Sequence, residues 1–344
     1  MRILFVHPGA DYSIWDVGAG LRAALAAQGH AIADYYLTRR MHYHAAAMKA
    51  GGLEPSIENT AIVSKQASEN IPIEALYHNA DLVLIVCGLN CHPISLWLLD
   101  RLRDPRIPVA VVLTESPYED PQQREWLSAH PSPIVFTNDR SSARRFGWTY
   151  LPHAFNPDLH RPTPADPDEA CDVLMVATGW AERQELLEQV SWDGIDLRLI
   201  GPWPHLLPTH PLKAYHEDHC LPNTQVPRFA SSAKINVNIF RQSTTAESLG
   251  PRTYELAAIG AFQISDPRPE LIEIFGETIP TFRNASELEG LIRYFLAHDD
   301  ERQQLAARAR QLVQRETFSR RAEDLIRAVR GAAPALDMAA ALTT

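Results

Sequence analysis

From Thr244 to Ala261 the chain reads Thr-Thr-Ala-Glu-Ser-Leu-Gly-Pro-Arg-Thr-Tyr-Glu-Leu-Ala-Ala-Ile-Gly-Ala, with seven residues separating two carboxylates, Glu247 and Glu255. Between them Gly250 and Pro251 make a turn ahead of a helix opening near Arg252. A helix start presents free N–H groups and the positive end of its dipole, both suited to an anion. Arg252 adds a forked cation that matches phosphate oxygens. Glu255, a few residues into the helix, can accept hydrogen bonds from two neighbouring hydroxyls. One carboxylate before the turn and one after it could grip the two ends of a sugar nucleotide, its diphosphate lying between them. The same spacing also suits a solvated helix start whose carboxylates favour the dipole, and spacing does not choose between the two.

Apolar runs supply the elements that must carry these groups. Ile3–Val6 reads as a buried strand. Val17, Leu21, Ala24 and Leu25 then follow helical spacing, with Asp16 as N-cap and Gly29 as stop. Residues 31–37, 81–87, 108–114 and 134–137 continue the alternation, several of them continuously apolar as strands covered on both faces are. The stretch from His42 to Asn70 is polar and weakly periodic and reads as a mobile loop or short helices. Pro152, Pro157, Pro162, Pro164 and Pro167 mark a linker. Strands at 172–177, 196–200, 234–239 and 261–264, with a helix over 182–190, repeat the pattern. The result is two α/β units, each a Rossmann-like doubly wound domain on a parallel sheet. The last third is helical. Ser286 and Glu289 suggest a capping box, Ala322, Leu325, Ile326 and Val329 form one apolar face, and the Ala-rich end after Arg330 should fray.

Composition narrows the function. A chain of 344 residues commonly splits into two domains, and 45% hydrophobic with 22% charged residues is ordinary for a globular protein. A net charge of −10 disfavours nonspecific attraction to nucleic acid or anionic membrane. The residues from Met1 to Pro8 are too short an apolar run for a signal peptide, so the expected location is cytoplasmic. Cys87, Cys91, Cys171 and Cys220 suit a reducing compartment. Cys87, Cys91 and His92 lie close together, but no second ligand pair follows at zinc spacing, so no metal is expected. A dinucleotide fingerprint is missing: Gly9 is followed by Ala10-Asp11-Tyr12, and residues 173–183 offer only Gly179.

The Glu-x7-Glu segment resembles the donor-binding motif of GT-B-fold group 1 glycosyltransferases. More closely, the chain is similar to their spore-maturation (CgeB-like) branch. The likeness rests on Tyr150-Leu-Pro-His-Ala-Phe-Asn-Pro-Asp-Leu-His-Arg-Pro162, Asp172–Arg183, Lys234–Asn238, Arg252-Thr-Tyr-Glu255 with Gly260, and Leu288–Arg302. It covers about residues 130–330 and is only topological before that. It implies two domains facing across a cleft. Residues 1–162 are the acceptor side, 163–316 the nucleotide-sugar domain, and 317–344 a helix packing back on the first domain with a frayed tail. By the same resemblance Glu255 holds the ribose hydroxyls and Glu247 sits near the donor sugar. Backbone amides around Gly250 approach sugar or phosphate, and Arg183, just after the Gly179 loop, joins Arg252 in balancing the diphosphate. Gly201-Pro-Trp203 and the Val226-Pro-Arg228 turn hold the base. Arg183 also fits an exposed helix position, and Trp203 simple packing.

Glycosyl transfer passes through an oxocarbenium-like state and expels a nucleoside diphosphate anion. Fixed positive charge and helix N–H groups can stabilise that anion without a metal or other cofactor. An inverting enzyme needs a base from the first domain, for which Asp16, His92 and Glu115 are candidates; a retaining one needs none. The resemblance therefore implies a metal-independent hexosyltransferase using a UDP- or TDP-type sugar and a hydroxyl acceptor: a small molecule, a glycan, a protein or modified DNA. A nucleotide-sugar epimerase on the same fold and a non-catalytic sugar-nucleotide binder are the alternatives.

Overall fold

The computed structural model describes residues 1–8, 12–54, 57–87, 107–114, 134–240 and 247–341. The chain divides into two compact units, Met1–His153 with Phe318–Thr344, and Ala154–Thr317. The first is built from β1 (Arg2–His7), α1 (Tyr12–Ala27), β2 (Ala31–Tyr36), α2 (Leu37–Ala50), α3 (Ile57–Tyr77), β3 (Leu82–Cys87), β4 (Val109–Leu113), β5 (Ile134–Thr137), α4 (Arg140–Phe146) and β6 (Thr149–Tyr150). Its strands pair in parallel in the order β2-β1-β3-β4-β5-β6. Every residue of β4, and of β1 after Arg2, is buried, which is why these strands read as unbroken apolar runs. Each fully buried Val, Leu or Ile contributes roughly 1.5–3 kcal/mol. Gly29 ends the α1 segment with φ 82°, a conformation that favours glycine.

Two expectations change here. The helix α1 starts at Tyr12, so Asp16 lies a turn inside it, half-buried, and is not its N-cap. The polar stretch after His42 is largely helical, covered by α2 and α3. Val63, Ala67, Ile71 and Ala75 recur every four residues and are buried in the first core. Ile62, Ile73, Leu76 and Tyr77, apolar but exposed on other faces of α3, blur that period.

The second unit comprises β7 (Cys171–Val176), α5 (Ala181–Leu187), β8 (Leu197–Ile200), β9 (His216–Glu217), α6 (Val226–Ser232), β10 (Ala233–Asn238), α7 (Pro251–Ile259), β11 (Gln263–Ser265), α8 (Pro269–Phe275), α9 (Ala285–Ala297) and α10 (Asp299–Val313). Its parallel sheet has the order β11-β10-β7-β8-β9. The unit begins at Ala154 instead of after Pro162. The reason is local: Phe155 is buried and its N–H donates to the Glu316 carbonyl at 3.0 Å, while His160 is 2% exposed. The proline-rich stretch is thus folded structure at its start. The cap of α9 also differs from the expected Ser286/Glu289 box. Asn284 Oδ1 accepts from the Glu287 N–H at 2.9 Å, and Glu287 Oε2 accepts from the Arg283 N–H at 2.8 Å. Glu289 instead accepts from the Ser191 N–H and from Arg293.

The last helix, α11 (Phe318–Ala341), belongs to the first unit and runs past Arg330 without ending there. Its buried face is Ala322, Leu325, Ile326 and Val329. A Cβ added at Gly20 of α1 would lie 2.4 Å from the Phe318 ring, so only glycine admits that ring. Arg321 donates to the carbonyls of Pro152 and His153, each at 3.0 Å. Among the described residues no helix is long and apolar enough to cross a membrane.

Candidate functional site

In the second sheet the chain runs from β7 outward to β8 and β9, then returns to β10 and β11 on the other side. The switch point therefore lies between β7 and β10, and ligands of doubly wound sheets bind outside the carboxyl ends of such strands. Arg183 on α5 sits there. Its Nη1 donates to the carbonyl of Thr178, just after β7, at 2.6 Å, and its Nε to that of Ile239, just after β10, at 2.7 Å. It is half-buried and anchored, not an exposed surface arginine.

Asp266 follows β11 beside it. Its Oδ1 accepts from the Phe240 N–H at 3.0 Å. Burial raises its carboxyl to about 6, against the opposing pull of that amide, Arg268 and Arg183. Arg268 is buried and stands over the Phe240 ring, 5.1 Å from its centroid.

The helix α7 opens as expected, with Gly250 at the N-cap and Pro251 in the first turn, and Gly260 (φ 81°) closes it. Thr253 through Ile259 are all buried, so the helix is held on every side. A polar chain ties it to the sheet: Asn238 Nδ2 donates to Gln263 Oε1 at 2.6 Å, and Gln263 Nε2 donates to the Thr253 carbonyl at 3.0 Å. Glu270, at the start of α8 and 1% exposed, secures the approach to the helix. Its Oε2 accepts from the Leu249 N–H at 2.7 Å, its Oε1 accepts from the Tyr254 hydroxyl at 2.8 Å, and its own N–H donates to the Glu247 carbonyl at 3.1 Å. The Leu249 amide is therefore already engaged, which removes one of the amides expected to approach a phosphate.

Glu255 is 5% exposed, far from a solvated helix carboxylate. Its Oε2 is 2.9 Å from Arg252 Nη1, and its Oε1 faces His160 Nε2 at 3.7 Å. Glu247 lies on the other side of the Gly250–Pro251 turn, half-buried, its main chain fixed by Glu270. The carboxylates thus differ in burial although sequence spacing treats them alike.

Four further candidates are fixed by backbone shape or core packing. Gly179 admits the Trp203 ring, which a Cβ would meet at 2.1 Å, and Gly201 has φ 135° with the Ala177 carbonyl oxygen 2.4 Å from any Cβ. Trp203 itself is buried in the second core, so its side chain packs on Gly179. Val226 is 1% exposed and packs with Ala230, Leu256 and Ile259; its side chain is core, and only its backbone could meet a base.

In the first unit, His92 and Glu115 lie outside the described residues, as does Cys91, and Asp16 stands within α1. What the structure does display is a cluster at the carboxyl end of β1. His7 Nε2 lies 2.8 Å from Asp34 Oδ1, Arg22 donates to both oxygens of Asp34 at 2.9 and 2.6 Å, and His7 stacks on Tyr36 with centroids 4.2 Å apart. Sequence reasoning missed this cluster, along with Glu270, Asp266 and the role of His160. For Glu270 a signal existed in Asp266-Pro-Arg-Pro-Glu270, where two prolines stiffen the entry to a helix.

With this geometry in view, the fold is that of the GT-B glycosyltransferases. It aligns with sucrose-phosphate synthase from Thermosynechococcus elongatus at a TM-score of 0.67 and 14% identity, covering 96% of this chain and 100% of that one. It aligns with HepE from Anabaena, solved with UDP-glucose, at a TM-score of 0.66 and 12% identity, covering 96% and 100%. A third neighbour is an alpha-glucosyltransferase solved with UDP and a 13-mer DNA containing an HMU base, at 0.65 and 11%, covering 96% and 98%. At these identities the likeness is one of fold. Residues 182–327, which include Arg183, Glu247 and Glu255, match the family model described as Glycosyl transferase-like. No curated protein sequence matches the chain.

Proposed function

We infer that the protein is a metal-independent glycosyltransferase that moves a hexosyl group from a UDP- or TDP-type sugar to a hydroxyl acceptor. We place it in the group 1, spore-maturation-type branch. The observation that carries this reading is the buried Glu255 carboxylate in the second turn of α7, in the same unit as an arginine anchored at the β7/β10 switch point. A carboxylate has about four lone-pair directions, and Arg252 engages one oxygen of Glu255. Enough acceptor capacity remains for two adjacent ribose hydroxyls. Arg183 and Arg252 then face the diphosphate, and the amides that open α7 add their dipoles.

As the glycosidic C–O bond breaks, positive charge develops on the sugar ring and negative charge on the departing diphosphate. Groups already held in place stabilise that charge with little reorganisation. Glu247, next to the turn, serves the sugar end. The acceptor hydroxyl belongs to the first unit, where Asp16, His92 and Glu115 stand as candidate bases. Cys171 and Cys220 carry free thiols, as a reducing cytoplasm permits.

The test is to incubate the protein with UDP-glucose or TDP-glucose, alone and with a panel of sugars, lipid-linked glycans, peptides and DNA. DNA with an HMU base belongs in the panel because one neighbour is solved with such a strand. Nucleoside diphosphate release that depends on an acceptor is expected. A rearranged sugar nucleotide formed with no acceptor present means an epimerase, and binding without turnover means a silent binder.

A further inference from the structure

His160 lies in the segment that opens the second unit, far in sequence from Glu255 but beside it in space. It is 2% exposed and its orientation is fixed. The Asn156 N–H donates to its Nδ1 at 3.1 Å, while its own N–H donates to the Asn156 carbonyl at 2.7 Å. The Asp158 N–H, donating to Asn156 Oδ1 at 3.0 Å, tightens the same turn. Because Nδ1 accepts, the proton of the neutral ring sits on Nε2, the atom facing Glu255 Oε1. Burial lowers the basicity of the ring and favours this neutral form, with Glu255 and Asn223 pulling the other way and Arg252 adding to the lowering.

Nε2 of His160 is buried and makes no hydrogen bond of normal geometry, and two acceptors face the ring there, Glu255 Oε1 and the equally unpaired Oδ1 of Asn223. A histidine that merely filled the core would not need one nitrogen locked by a backbone amide and the other facing two acceptors, of which the carboxylate carries the charge. The separation of 3.7 Å is too long for a hydrogen bond but short enough to close when a ligand arrives, as hydrogen bonds in unliganded sites often do. The terminal torsion of a glutamate is broad, so Arg252 on one oxygen does not by itself fix the plane of the carboxylate.

We propose that His160 is a positioning residue whose Nε2–H fixes the plane of the Glu255 carboxylate for the two ribose hydroxyls of the donor. This rests on the donor reading of Glu255 given above. Arg252 and His160 then bracket the carboxylate from its two oxygens.

The test is calorimetric titration of UDP into the full-length protein, with thermal unfolding of each variant as a control. His160→Leu should bind UDP roughly tenfold more weakly, the lower range for a hydrogen bond to a charge. His160→Gln, which restores an N–H near the Nε2 position, should recover most of the affinity. In a Glu255→Gln background, His160→Leu should cost nothing further. Wild-type affinity in folded His160→Leu overturns the role of His160 alone, as do losses that simply multiply in the double variant. Unchanged affinity in Glu255→Gln overturns the donor reading and this inference with it. Should His160→Leu not fold, the wild-type protein decides: UDP should shift the NMR resonance of His160 Nε2, and an unmoved resonance overturns the proposal.

Discussion

The two parallel sheets treat charge at their carboxyl ends in opposite ways. At the end of β1 the anchors are side chains: Arg22 ion-pairs with Asp34 through both oxygens, and Asp34 hydrogen-bonds the ring of His7, whose basicity burial lowers. Beyond β7, β10 and β11 the anchors of Arg183 and Asp266 include main-chain groups, two carbonyls for the arginine and an amide for the aspartate. Main-chain dipoles fix a charge in place without cancelling it. The comparison teaches that main-chain carbonyls and amides can orient a half-buried charge as a counter-ion does.

The largest effect that sharpens this contrast should come from Glu270. Glu270→Ala leaves the Leu249 amide and Tyr254 hydroxyl without their buried acceptor, at about 1–3 kcal/mol each. Chemical denaturation should show a loss of about 3 kcal/mol, and UDP binding should weaken because the Glu247 stretch loses its anchor. Arg22→Ala is the counterpart in the first unit. Its side chain is 36% exposed, so it should cost about 1 kcal/mol or less and leave UDP affinity untouched.

Next comes Arg183→Ala, which should weaken UDP binding by about 2 kcal/mol in calorimetry, the range for a hydrogen bond to a charged group. Equal UDP affinities for Arg183→Ala and Arg22→Ala would erase the distinction between the two sheet ends.

The smallest effect is a pair of opposite pH responses. Asp34 titrates below its usual value, chiefly through its hydrogen bond from Arg22, so its contribution is present above the unfolded value and fades as pH falls through the folded one. Asp34→Asn should therefore destabilise at neutral pH, by about 1 kcal/mol, and cost progressively less in acid. Asp266 is raised to about 6 by burial, so its folded form holds the proton longer than the unfolded chain does. Its contribution is full in acid and is lost as pH rises toward that value. Asp266→Asn, which keeps an acceptor for the Phe240 amide, should stabilise at neutral pH and change little in strong acid. Thermal unfolding across pH checks both signs.

Much of this was legible in the sequence, for reasons that differ by residue. The strands declared themselves because parallel sheets are covered on both faces, and α7 because Gly250-Pro251 and Gly260 bracket it. Glu255 and Arg183 could be singled out by the family resemblance, and the structure now gives them burial and anchors. Asp16 was misplaced because the periodic apolar residues of α1 begin later than the helix does. The α3 period was blurred by exposed apolar residues off its core face, and the cap of α9 shifted two residues because Asn284 competes with Ser286 for the same role. His160 and the His7–Asp34–Arg22 cluster were illegible for one reason: their meaning lies in partners far along the chain, which no local spacing encodes.

The most direct measurement is calorimetric titration of UDP into folded Glu255→Ala beside the wild-type protein. A buried carboxylate that receives the ribose hydroxyls should, when removed, weaken binding by about 1.5–3 kcal/mol. The same affinity in both proteins would contradict the assignment of Glu255 to the donor nucleotide.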